Sequence, residues 1–223
     1  PYGFMGDDGE YTGFDLELAA EVAKRNSWTL VKQPIDWDAK DAELSSGTID
    51  CIWNGFTLNG REDQYTWTEP YIDNSQVFVV PEDGGISTLE DLAGKSVGVQ
   101  KDSSALAALE GDQAALAASF GEMTQYADYN TAFMDLEQGA IDAVAIDIGV
   151  ANYQIDKRSG GFRILDERLS TEQYAVGFKL GNEELRDKVQ TTLNEMAADG
   201  TVAAIAEKYA DYGVPDALCI GSK

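Results

Sequence analysis

Apolar positions fall at helical spacing in some stretches of the chain and in short strand-sized runs in others. Phe14, Leu18 and Val22, with Ala19 and Ala23, share one helical face, and Asp15 stands where an acidic residue suits a helix N-terminus. Residues 38–45 read as a second helix stopped by Gly47, with a strand at 49–53. The run 76–80 is a strand ended by Pro81 and followed by a loop at 82–86. Ser87 and Glu90 have the spacing of a capping box ahead of a short helix at 89–92. A strand at 95–99 and an Ala-rich helix at 105–119 come next. Asn130 is placed to cap a helix carrying Phe133 and Leu136, which Gly139 stops. Strands are predicted at 141–146 and 174–179, and two amphipathic helices close the chain, one on Leu185, Val189 and Met196, the other on Val202, Ile205 and Tyr209.

Alternating helix and strand signals favour an α/β fold. A repeat refines this. Leu44, Gly47, Ile49 and Asp50 recur at the same spacing as Leu136, Gly139, Ile141 and Asp142, and each set reads helix, glycine stop, apolar strand. Two similar α/β lobes follow. Lobe 1 is expected at 1–82 plus 174–223 and lobe 2 at 86–170, with crossings near 82–86 and 170–174. Ligands of open α/β sheets bind beyond the C-terminal ends of strands. The loops after the repeated strands, with Asn54, Gly55, Phe56 and Thr57 in one lobe and Asp147 and Ile148 in the other, are therefore the candidate site.

Composition is that of a globular protein, with 43% hydrophobic and 25% charged residues. No apolar run approaches the roughly 20 residues of a membrane-spanning helix. A net charge of −24 repels phosphate backbones and argues against nucleic acid as a partner. The chain has no histidine, which removes His-based triads and most zinc sites. No catalytic group, metal or cofactor is expected. The start at Pro1 carries no signal peptide and reads as a trimmed N-terminus.

The candidate loops carry complementary chemistry. Arg61 can clamp a carboxylate bidentately, Thr57 adds a hydroxyl, and Gly55 allows close approach to backbone. Asp147 can accept from an ammonium, and Ser103 and Ser104 offer hydroxyls and N–H groups at a helix start. A carboxylate clamp with an ammonium acceptor is what an α-amino acid zwitterion requires.

Several motifs together resemble one family over nearly the whole chain. They are Gly13-Phe14-Asp15-Leu16-Glu17-Leu18, Asp36-Trp37-Asp38, the stretch 44–50, and Asn54-Gly55-Phe56-Thr57-Leu58-Asn59-Gly60-Arg61. Further on come Thr68-Glu69-Pro70-Tyr71, Leu89-Glu90-Asp91-Leu92-Ala93-Gly94-Lys95, Gly98-Val99 before Ser103-Ser104, Gly139-Ala140-Ile141-Asp142 and Ala198-Asp199-Gly200-Thr201. The sequence is similar to the polar amino-acid solute-binding proteins of ABC transporters, the bacterial extracellular family 3.

The resemblance implies a type II periplasmic-binding-protein fold, two lobes each built on a sheet flanked by helices and joined by a two-strand hinge. It implies capture of a free polar or cationic amino acid and delivery to a membrane permease, by a monomer that is periplasmic or a cell-surface lipoprotein. Arg61 is assigned to the α-carboxylate, with Gly55, Thr57, Ser103 and Ser104 as its partners. Asp147 is assigned to the α-ammonium, and Trp37, Gln100 and Asn54 to the ligand side chain. The resemblance also implies a strand and a loop ahead of Pro1. In that oxidising compartment Cys51 and Cys219 are expected to form a disulfide rather than two buried thiols. Two alternatives stay open: a dehydratase on the same fold, with Glu172 as its acid, and the ligand-binding module of a sensor.

Overall fold

The computed structural model describes residues 1–158 and 160–221. They form two compact units. Unit 1 takes Pro1–Ile35, Ala39–Asp73 and the chain from Glu172 onward; unit 2 takes Asn74–Thr171 with the short stretch Asp36–Asp38.

Unit 1 begins with an antiparallel ribbon, β1 (Phe4–Met5) and β2 (Tyr11–Thr12). Helix α1 (Phe14–Arg25) follows and buries Phe14, Leu18, Ala19, Val22 and Ala23, the predicted apolar stripe, together with Asp15. A 3-10 turn at Trp37–Ala39 leads into α2 (Lys40–Ser46), then β3 (Cys51–Ile52), β4 (Tyr65–Trp67) and β5 (Ile72–Pro81). Strand β5 carries the chain into unit 2. There β6 (Ser96–Gln100), α3 (Ser104–Glu110), α4 (Ala114–Ala117), β7 (Glu122–Tyr126) and α5 (Tyr129–Glu137) follow. Next come β8 (Ala143–Asp147), α6 (Ile148–Lys157), β9 (Phe162–Ile164) and β10 (Ser170–Tyr174). Back in unit 1 are β11 (Gly177–Lys179), α7 (Glu183–Ala198), α8 (Thr201–Glu207) and α9 (Val214–Ala217).

The larger sheet has the order β10-β5-β8-β6-β7, with β9 beside β5. Strand β6 runs parallel to β7 and β8, and β5 is antiparallel to β8 and β9. Both faces are covered. Phe78, Val80, Val97, Val99, Ala143 and Ala145 pack with Leu106 and Leu109 of α3 on one face. Val77, Val79, Val144 and Ile146 pack with Phe133 and Leu136 of α5 on the other. Successive strand residues point to opposite faces, so a sheet covered twice reads as unbroken apolar runs such as 77–80 and 143–146. Each large side chain so buried stabilises by about 1.5–3 kcal/mol.

Unit 1 uses a smaller antiparallel sheet of order β3-β11-β4. Its core is aromatic: the Phe56 ring lies 5.0 Å from that of Tyr65 and 4.7 Å from that of Trp67, and Phe14 meets Tyr71 and Tyr209. Helix α1 packs on α7 and α8.

The two repeated segments adopt one local structure. In each, a glycine with positive φ ends the helix, Gly47 at 81° and Gly139 at 72°. The next N–H reaches back five residues, from Thr48 to the Glu43 carbonyl at 3.1 Å and from Ala140 to the Asp135 carbonyl at 2.9 Å. Both are Schellman caps.

Several local expectations differ from the structure. Crossings were expected near 82–86 and 170–174; the units divide at Asp73 and Asn74, inside β5 rather than in the loop, and at Thr171 and Glu172, within the second of those ranges. The loop at 82–86 merely ends β5, which continues well past the boundary. The box expected at Ser87 and Glu90 is made by Thr88 and Asp91: the Thr88 N–H donates to Asp91 Oδ2 at 3.0 Å and the Asp91 N–H to Thr88 Oγ1 at 3.3 Å. The cap expected of Asn130 is Asp128, which accepts from the Thr131 N–H at 2.9 Å. The Ala-rich helix breaks into α3 and α4 at Gly111.

The structure also corrects the expected disulfide, since Cys51 and Cys219 are both thiols. Cys51 lies in β3 opposite Phe178 with Asp50 as its charged neighbour, whereas the Cys219 N–H donates to the Tyr71 carbonyl and its thiol lies by Asp73. Backbone pairing thus sets the two cysteines against different neighbours. Burial pushes the Cys51 thiol up to about 12 and Cys219 to about 11.

Two outcomes follow from this packing. A maleimide titration of denatured, unreduced protein labels both cysteines, while native labelling at neutral pH is slow because the thiolate forms are suppressed; no labelling in denaturant would restore the disulfide. A Cβ added at Gly177 would stand 2.6 Å from Phe56 Cε1 and 3.2 Å from Trp67 Cζ3. Gly177→Ala therefore lowers stability by about 1–3 kcal/mol, read from denaturant unfolding.

Candidate functional site

Each unit carries its own group of candidate residues. In unit 1 they lie on the loop that follows β3. Gly55 turns that loop with a left-handed φ of 56°, and its N–H donates to Asp15 Oδ2 at 2.7 Å. Asn54 is exposed, and its amide donates to the Gly3 carbonyl at 3.3 Å. Phe56 points inward, fully buried.

Thr57 is pinned twice. Its backbone bridges to Tyr174, and its buried hydroxyl donates to Glu172 Oε1 at 2.7 Å. That bond commits the hydroxyl hydrogen to Glu172 and leaves the oxygen as an acceptor. The Leu58 N–H donates to the Gln173 carbonyl at 3.0 Å, and the Gln173 N–H to Asn59 Oδ1 at 2.8 Å. The chain then turns at Gly60, φ 79°. Arg61 folds back: its Nη1 donates to the Thr57 carbonyl at 3.1 Å, and its guanidinium lies over the Phe56 ring at 5.3 Å. Trp67 Nε1 donates to the Arg61 carbonyl at 3.1 Å. The guanidinium is thereby oriented by an aromatic face and a carbonyl, the arrangement that reduces the ordering cost of a bidentate contact.

Asp15 deepens this picture. Its carboxyl is fully buried. Burial raises it from 3.8 to about 6, against the lowering effect of the Gly55 N–H and the neighbouring Tyr71 hydroxyl. Burial beside Asp15 pushes the Tyr71 hydroxyl well above its usual range.

In unit 2, Asp147 ends β8 and stands at the N-terminus of α6, without capping it through its side chain. Its Oδ1 accepts from Asn74 Nδ2 and Gln76 Nε2, each at 2.9 Å. Both amides are buried on β5, and Gln76 faces Asp147 directly in the strand register. Two fixed donors hold one carboxylate oxygen and set the side chain's direction. Ser103 is the N-cap of α3, its Oγ accepting from the Leu106 N–H at 3.1 Å, and Ser104 opens that helix. Asp102, just before, has a φ of 53°, a left-handed conformation that glycine adopts without strain and aspartate tolerates. Gln100 ends β6 and donates to the Ala127 carbonyl at 3.1 Å. Trp37, expected in lobe 1, is half-buried and grouped with unit 2.

The structure thus brings Gly55, Thr57 and Arg61 together on one loop and places Asp147, Ser103, Ser104 and Gln100 at or just beyond the strand ends of unit 2. Asn74 and Gln76 were missed by sequence reasoning. Their signal was present, as two amides two residues apart leading into an apolar strand. Asp15 was read only as a favourable helix-start charge. Among the described residues no group of three or more His, Cys, Asp or Glu side chains is placed to hold a metal ion, and no helix is long and apolar enough to cross a membrane.

Comparison with known proteins identifies the family. The model of "Bacterial extracellular solute-binding proteins, family 3" matches residues 1–212. The L-cystine-binding protein TcyJ of Escherichia coli K12 is 32% identical over 212 residues, covering 94% of this chain and 78% of that protein. The histidine-binding periplasmic protein of the same strain is 29% identical, covering 96% of this chain and 85% of its own length. A substrate-binding protein of an ABC uptake transporter from Streptococcus pneumoniae, solved with bound histidine, superposes with a TM-score of 0.90 at 36% identity and covers 94% of this chain and 87% of its own. The fold is that of the two-lobed type II binding proteins, and the family consists of solute-binding proteins rather than enzymes. By motif, fold and comparison alike, this chain belongs to the bacterial extracellular solute-binding proteins, family 3.

Proposed function

We propose that this protein captures a free polar amino acid outside the cytoplasm and delivers it to the membrane permease of an ABC transporter. Arg61 and the Thr57 backbone on unit 1 take the α-carboxylate, joined by Ser103 and Ser104 of unit 2. Asp147 of unit 2 takes the α-ammonium. Gln100, Asn54 and Trp37 meet the side chain. The observation that carries the reading is the complementary, pre-oriented pair of charges: a guanidinium set by Phe56 and the Thr57 carbonyl, and a carboxylate set by Asn74 and Gln76.

Orientation before binding matters because each rotamer-rich side chain ordered on binding costs about 0.5–1.5 kcal/mol. A ligand that touches both units favours the state in which both contacts are made, by its differential affinity for that state. The relatives named for cystine and histidine share the zwitterion and differ in side chain. A polar or cationic side chain is the class we assign, and the protein acts as a monomer, in the periplasm or as a cell-surface lipoprotein. The dehydratase alternative assigned proton transfer to Glu172, but that carboxyl holds the Thr57 hydroxyl in place.

Calorimetry with L-cystine, L-histidine, L-arginine and L-glutamine tests this. At least one binds at micromolar or tighter affinity. Arg61→Ala and Asp147→Ala each weaken it by about 30-fold to 1,000-fold, the cost of removing one partner of a desolvated charge pair. Failure of all four, and of the remaining common amino acids, would overturn the reading.

A further inference from the structure

Unit 1 contains one fully buried carboxylate to which the binding scheme above gives no part. Asp15 lies in the first turn of α1, where its own N–H donates to the Tyr2 carbonyl at 2.9 Å. Its side chain leaves the helix and reaches the loop of the carboxylate half-site, a segment 40 residues away in sequence, at the Gly55 N–H. Gly55 has a left-handed backbone, and a Cβ there would stand 3.4 Å from the Tyr174 ring and 3.5 Å from the Tyr2 ring. The N–H of the peptide between Asn54 and Gly55 is therefore held by the Asp15 carboxylate, with the Tyr174 and Tyr2 rings close to Gly55. Whatever orients that peptide orients Phe56 and Thr57, and through them Arg61, which rests on the Phe56 ring and the Thr57 carbonyl.

We infer that Asp15 is a positioning residue for ligand capture: its carboxylate holds the Gly55 N–H, fixes the loop that presents Thr57 and Arg61, and makes affinity for the amino acid depend on pH. This deepens the proposed function and rests on it. The physical reason is the strength of the bond. An ionised carboxylate accepts an N–H about twice as strongly as a neutral group does.

The groups facing Asp15 are few. The Tyr71 hydroxyl, at the foot of β5, lies beside it, with the neutral Trp53 indole N–H and the Tyr2 hydroxyl acting on Tyr71 in turn. The α-amino group of residue 1 lowers the carboxyl slightly. Burial is the largest effect and places the titration at about 6.

The sign is as follows. A carboxyl raised from 3.8 to about 6 binds more protons folded than unfolded between those values. Its contribution to stability is fully present below the lower value and is lost as pH rises through the higher one. Folding alone would therefore favour a neutral side chain at this position above about pH 6, whereas the loop is held best by the charged one.

That opposition separates positioning from mere structure. Asp15→Asn keeps an acceptor for Gly55 and removes the charge. At about pH 8 it should unfold at a higher temperature than wild type while binding the amino acid about fivefold more weakly. The wild type should lose a similar factor between about pH 8 and about pH 5, and the variant should not. Affinities are measured with L-arginine, L-histidine, L-glutamine and L-cystine. The ratio of wild type to variant at each pH cancels any titration of the ligand. In a ligand-free NMR titration, the Gly55 amide proton of the wild type should move with a midpoint near 6. This readout needs neither binding nor the variant. A flat Gly55 resonance overturns the inference, as does an Asp15→Asn protein whose affinity follows the wild-type pH profile. Absence of binding by wild type at every pH instead overturns the proposed function.

Discussion

Coverage of the larger sheet on both faces is the constraint from which the arrangement of unit 2 follows. Once α3 packs on one face and α5 on the other, residues 77–80, 97–99 and 143–146 of β5, β6 and β8 are all buried. Polar chemistry is then restricted to the ends of the strands and the loops beyond them. Asp147, Gln100 and Ser103 occupy such places. Gln76 obeys the rule by exception. It is fully buried, and its amide is tolerated there because it donates to Asp147. A buried amide without such a bond would cost about 1–3 kcal/mol.

Unit 1 solves the same problem differently. Its sheet is small and its strands short, so the loop after β3 is held by side chains as well as by backbone bonds to the returning chain. Carboxylates do much of the holding. Asp15 takes the Gly55 N–H, Glu172 takes the Thr57 hydroxyl, and Asn59 and Gln173 link the same loop to the start of the returning chain. The protein carries 40 acidic residues, and most of them are solvated charge. Asp15, Asp147 and Glu172 are among those that accept short hydrogen bonds inside the fold. The aromatic cluster of Phe56, Tyr65 and Trp67 supplies the rigid floor on which Arg61 lies.

Where the structure departs from local sequence signals, a neighbour with better geometry has displaced the expected residue. Asp128 caps α5 because its extended backbone aims its oxygen at the Thr131 N–H; Asn130 lies inside the helix and accepts from Gln154 instead. Thr88 and Asp91 close a turn one residue along from the expected pair. Gly111 divides the Ala-rich stretch although alanine favours continuation.

The order of helices and strands, the paired Schellman glycines at Gly47 and Gly139, the apolar strand runs and the loop motif ending at Arg61 could all be read from the chain. These are local patterns: periodicity, turn residues and short spacings act within a few residues and survive in any tertiary context. Three things were decided only by the fold. They are the burial of Asp15 and Gln76, the partner that each candidate side chain holds, and the place inside β5 where one unit gives way to the other. Each depends on groups brought together across long separations, Asp15 with Gly55 and Thr57 with Glu172 among them. The environment that raises the Asp15 carboxyl is made by such neighbours, and no window of sequence contains it.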